Sequence, residues 1–168
     1  NFKYGILALV YLSLQVLLLR NLALFEVAFA FVYVAIILSI PLETDRIVII
    51  LAAFVLGIIV DTFYNSLGVH ASALVGMAFL RYHWVNAITP QGGYDANVSP
   101  TVNSMGAQWF TGYALPLIFI HHAILFYTEA GGLHFFWFTL LKVLSSTFFT
   151  FSIVIIIQVL FYNRKRNL

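Results

Sequence analysis

The stretch from Gly57 to Arg81, GIIVDTFYNSLGVHASALVGMAFLR, decides how the chain is read. An apolar run ends in a tight turn at Asn65-Ser66-Leu67-Gly68, and a second apolar run begins directly after it. That pattern predicts two membrane helices joined by a short connection. Asp61 sits near the end of the first, at a depth where a charge facing lipid is costly, so it is expected to face protein or trapped water. His70 follows nine residues later, within about two helical turns of the same membrane face. Such a pair can hold two helices in register; the alternative is an interfacial acid beside an unrelated histidine.

The bulk composition agrees with a lipid environment. The 168 residues are 62% hydrophobic and 8% charged, with mean hydropathy +1.00. Soluble domains carry about 25% charged residues, so this chain lacks the polar side chains to cover a water-facing surface. Its length suits one domain, taken as a single transmembrane domain over residues 1–168. The net charge of +2 then marks topology and not nucleic-acid binding. Cysteine is absent, which excludes disulfides, thiolate metal sites and thiol nucleophiles. Because the chain begins with Asn1, a short preceding piece is expected, and the first apolar run is taken as a retained helix because it has no small-residue cleavage motif.

A crossing needs about 20 apolar residues. Counting on that basis predicts an all-α integral membrane protein with six transmembrane helices, over about Tyr4–Leu19, Leu22–Ile40, Ile47–Tyr64, Val69–Trp84, Gly106–Tyr127 and within Leu133–Tyr162. Pro116 is expected to kink the fifth. A polar loop over about 86–104, rich in Pro and Gly, separates the fourth and fifth spans and is placed on the cytoplasmic side. The basic tail, about 163–168, belongs in the cytoplasm, which with six spans puts the N-terminus and Arg81 there too. Lys142 is placed at the outer edge of the core, snorkelling to the interface. The aromatic segment before it, Leu133–Leu141, is read as a belt or surface helix.

Measured by the same count, Glu26, Asp61, His70, His121, His122 and Glu129 fall in the outer half of the membrane. They imply either a polar cavity opening outward or separate local hydrogen bonds. His121 and His122 point about 100° apart on a helix, which does not suit one metal ion, and the zinc pattern of two histidines one turn apart with a glutamate is absent. No nucleophile motif, paired carboxylates or phosphate-binding loop is present, so neither a catalytic residue nor a cofactor is expected. Ser13, Gln15, Ser145, Ser146, Thr147 and Gln158 are expected to bond between helices.

Several ordered motifs carry a family resemblance: Gln15-Val16-Leu17-Leu18-Leu19 with Asn21 and Leu24-Phe25; Gly57-x-x-x-Asp61; Leu67-Gly68-x-His70-Ala71; Phe79-Leu80-Arg81; Thr89-Pro90-Gln91-Gly92-Gly93-Tyr94-Asp95; and His121-His122. Together they cover nearly the whole chain, which resembles the MreD family of the bacterial rod-shape (elongasome) machinery. One departure is Glu26 and Ala30 where the family often has glycine and then proline. The resemblance implies a six-helix, non-enzymatic scaffold of the bacterial cytoplasmic membrane, both termini inside, that maintains rod shape. It implies a single-pass partner of the MreC kind and, through it, cytoskeletal filaments and peptidoglycan synthases. It also implies a fold similar to the S-components of vitamin importers, which leaves a small-molecule-binding component as the alternative.

Overall fold

The computed structural model describes residues 2–94 and 98–161. Helix α1 (Phe2–Leu14) runs into a π-helical turn at Gln15–Leu19. A two-residue-per-strand antiparallel hairpin follows, β1 (Ala23–Leu24) with β2 (Ala28–Phe29), in register Ala23 with Phe29 and Leu24 with Ala28. A short α2 (Val34–Leu38) leads to α3 (Arg46–Tyr64), α4 (Val69–Ile88), the one-turn α5 (Val102–Met105), α6 (Ala107–Glu129) and α7 (Phe136–Phe161).

The six-span expectation is not met. Three helices, α3, α6 and α7, are long and apolar enough to cross a membrane, with a shorter apolar helix over Gly5–Leu19. The architecture implied by the MreD resemblance is therefore corrected from six spans to three such helices, although several long apolar helices still fit a multi-pass membrane protein. The reason is clearest at the expected second span, Leu22–Ile40. Phe25 and Glu26 take left-handed backbone conformations, φ 53° and 61°, and turn the chain into a hairpin instead of a helix. Beyond the hairpin, residues 30–38 are almost wholly buried, so their apolarity belongs to the protein core. The fourth expected span is a helix, but His70 and Arg81, both buried, dilute its hydropathy.

The remaining boundaries shift modestly. Helix α4 takes in Asn86–Ile88 and α5 takes in Val102–Ser104, both assigned to the loop from sequence. Helix α6 continues through Pro116. Helix α7 begins at Phe136, inside the segment read as an aromatic belt. The basic tail and Asp95 lie outside the described residues.

Helix α3 starts where the Asp45 side chain accepts the Ile47 N–H at 2.8 Å, satisfying one of the unpaired donors of the first turn. Ile47, Val48, Leu51, Phe54, Val55 and Ile58 form its exposed stripe, while Ile49, Ala53, Leu56, Gly57 and Val60 face inward. The packing order is α3 on α4, α4 on α6, α6 on α7, and α7 on β2. Gly57 sets the first contact: a Cβ there would lie 2.3 Å from the Ala71 Cα, so only glycine lets the two backbones approach this closely.

Candidate functional site

The turn between α3 and α4 is built by Asp61. Its carbonyl accepts the N–H groups of Asn65 and Ser66 and so closes α3, with Asn65 left-handed at φ 53°. Its carboxylate opens α4: Oδ1 accepts the His70 N–H and Oδ2 the Ala71 N–H, each at 3.0 Å. These are the second and third residues of α4, whose capping position is Gly68 and carries no side chain. A carboxylate held nine residues back in sequence thus does the work of an N-cap, where the helix dipole favours negative charge. The Ser66 hydroxyl donates to Oδ1, and His70 Nδ1 lies 3.1 Å from Oδ1 and 2.9 Å from Ser66 Oγ.

Next to this turn, the irregular segment that follows β2 into α2 passes through the interior. Its backbone is bonded by side chains. Gln15 Nε2 donates to the Ala30 carbonyl at 2.9 Å while Gln15 Oε1 accepts the Val32 N–H at 2.7 Å. From the other side, Ser146 Oγ accepts the Phe29 N–H and Thr150 Oγ1 the Phe31 N–H. Non-helical backbone at membrane depth is tolerated only when buried in protein and satisfied there, and these three side chains supply that satisfaction.

The aromatic residues of the segment gather the imidazoles. The Phe31 ring centroid lies 5.7 Å from that of His70, 6.3 Å from His121 and 5.5 Å from His122. Tyr33 Oη is 3.0 Å from His121 Nε2, and Thr150 Oγ1 is 3.2 Å from His122 Nε2. His122 Nδ1 is 2.7 Å from the Ile118 carbonyl. The two neighbouring histidines therefore serve different segments.

A cavity of about 280 Å³ opens beside this layer, lined by Arg20, Phe29, Phe31, Tyr64, Ser66, His70, Phe126, Glu129 and Lys142 among others. At the opposite end of α4, Arg81 is 1% exposed. Its Nε donates to Tyr113 Oη at 2.6 Å and a terminal nitrogen donates to the Ile40 carbonyl. Tyr113 in turn donates to the Leu38 carbonyl. This knot ties the end of α2 to α4 and α6.

Of the residues singled out from sequence, the structure brings together Asp61, His70, His121 and His122, and sets exposed Glu129 on the cavity rim with His70. Glu26 stands apart on the hairpin turn, and Arg81 lies at the far end of the bundle. Lys142, placed from sequence at the outer edge of the core, holds Nζ over the rings of Phe29, Phe126 and Phe138, at 5.3, 5.6 and 5.7 Å. Tyr33, Tyr64 and Tyr113 were not marked by sequence; a tyrosine inside an apolar run is a weak signal, since it packs as readily as it bonds. Among the described residues no group of three His, Cys, Asp or Glu could hold a metal ion.

No protein-family description, no curated protein and no solved structure matches this chain.

Proposed function

We propose that the chain is a non-enzymatic scaffold of the bacterial cytoplasmic membrane. In this reading it binds a single-pass partner of the MreC kind and serves the cell-wall elongation machinery through it. One observation supports the reading. Several of the residues that carry the sequence resemblance hold the bundle together: Gln15 clamps the segment after β2, Gly57 and Asp61 join α3 to α4, Arg81 ties α2 to α4 and α6, and Tyr94 Oη bonds both the Ile88 carbonyl and Trp109 Nε1. Polar side chains spent on internal architecture suit a protein whose output is a shaped, lipid-embedded surface. The six-helix architecture of the resemblance forms no part of the proposal.

The test is co-purification in mild detergent with an MreC-like partner expressed alongside. A stable pair is expected. A pair that separates while each component remains folded overturns the reading.

A further inference from the structure

Two cations face one small cavity, and among the described residues no carboxylate pairs with either. Arg20 and Lys142 both line it, and each guanidinium or ammonium group is held by ring faces: Arg20 Cζ is 5.6 Å from the Tyr64 centroid, and Lys142 Nζ sits over Phe29 and Phe126. Glu129 shares the lining, yet among the described residues the one ion pair is Asp61 with His70. The lining side chains other than His70 therefore carry a net charge of one positive, two cations less one carboxylate. His70, 5% exposed, also lines the cavity and leaves Nε2 without a hydrogen-bond partner. Since its Nδ1 faces the Asp61 carboxylate, Nε2 of the neutral ring is an acceptor and calls for a hydroxyl donor.

A second hollow of about 320 Å³ adjoins the first. It shares Phe126, Glu129 and Lys142 and is otherwise lined by Ala130, Phe135, Phe138 and Thr139. Lys142 thus stands between a charged recess and an aromatic one. The recess of about 280 Å³ is the size of a headgroup, and the aromatic hollow suits the apolar part of the same molecule. Both lie at the end of the bundle marked by the α3–α4 turn, the end of α6 and the start of α7.

We propose that this paired recess binds an acidic, hydroxyl-bearing headgroup on an apolar tail, with the anion held between Arg20 and Lys142. A phosphate diester that joins glycerol to an acylated backbone, as in phosphatidylglycerol, has that chemistry; a free glycerophosphate has the anion and hydroxyls without the tail.

The experiment measures thermal unfolding of the full chain in a neutral detergent. Four additions are compared: dioleoyl-phosphatidylglycerol, dioleoyl-phosphatidylcholine, glycerol 3-phosphate and inorganic phosphate. Phosphatidylglycerol is expected to raise the midpoint by about 5 °C near saturation, with little effect from the other three. Arg20→Gln and Lys142→Gln are each expected to reduce that rise at least to about half. Arg46→Gln, a charge removal outside the recess, is expected to leave it intact. Retention of the wild-type midpoint without lipid shows that a variant is folded; a variant that fails this is replaced by Lys142→Met or Arg20→Met. An equal rise with phosphatidylcholine, a full rise with the free phosphates, or an unchanged rise in both charge variants overturns the proposal.

Discussion

Asp61 joins two helices through atoms of different kinds: its carbonyl ends one and its carboxylate starts the next. Removing the side chain strands the His70 and Ala71 N–H groups in the first turn of α4, whose capping residue, Gly68, has no side chain to replace the acceptor. We expect Asp61→Ala to cost about 2–4 kcal/mol, combining loss of a cap with unsatisfied buried donors. Asp61→Asn keeps one acceptor oxygen, but its amide must face one of the donors that the second carboxylate oxygen now serves, so about half the loss remains. Thermal midpoints in detergent separate the two variants; equal and negligible effects would show an acid that merely sits at the interface. The Asp61–His70 pairing across the turn was legible in the sequence, because a charge in an apolar run needs a partner. The capping role was not, since capping is sought in the residues adjoining a helix and here it arrives from nine positions away.

At the level of elements, the informative piece is the one whose hydropathy misled. Residues 22–40 have the length and apolarity of a span, yet the chain turns at Phe25-Glu26, continues as buried non-helical backbone and forms only the short helix α2 at Val34–Leu38. Hydropathy reports burial away from water and does not distinguish lipid from protein interior, so the count of crossings came out too high. What does mark the segment is the set of polar side chains on its neighbours. Gln15, Ser146 and Thr150 sit in apolar helices and spend their hydrogen bonds on its backbone. Thr150→Val keeps the shape and removes the acceptor of the Phe31 N–H, at an expected cost of about 1–3 kcal/mol. Hydrogen exchange provides the check: the Phe31 amide should be among the slowly exchanging ones in the wild type and lose protection in Thr150→Val, while amides in α3 keep theirs. Rapid exchange of Phe31 in the unaltered protein would contradict the buried segment. The α3–α4 pair is subject to a steric test. Gly57→Ala puts a methyl group 2.3 Å from a backbone carbon that cannot move aside, so the helices must separate, with a loss of about 1–3 kcal/mol or more.

For the whole molecule, the arrangement of helix ends carries the argument. The end of α3, the start of α4, the end of α6 and the start of α7 surround the charged recess, whereas Val102 bonds to Gln158 late in α7 at the other end. If α3 and α6 cross the bilayer, the connections on either side of each must meet different compartments. The chain has no cysteine, so single reporters can be placed without a background to remove. Leu67, fully exposed on the α3–α4 turn, and Leu133, exposed after α6, mark the recess end; Glu43 and Gln108, both exposed, precede α3 and lie at the start of α6. If α4, packed back along α3, returns across the bilayer and the recess end lies outside, Leu67→Cys and Leu133→Cys are expected to react with a membrane-impermeant maleimide on intact spheroplasts, and Glu43→Cys and Gln108→Cys only after permeabilisation. The reverse pattern would keep both crossings and invert the orientation, moving the acidic-headgroup recess to the cytoplasmic leaflet. Glu43→Cys and Leu67→Cys reacting from one side would remove α3 as a span altogether, and with it the reason for its exposed stripe of Ile47, Leu51, Phe54 and Ile58.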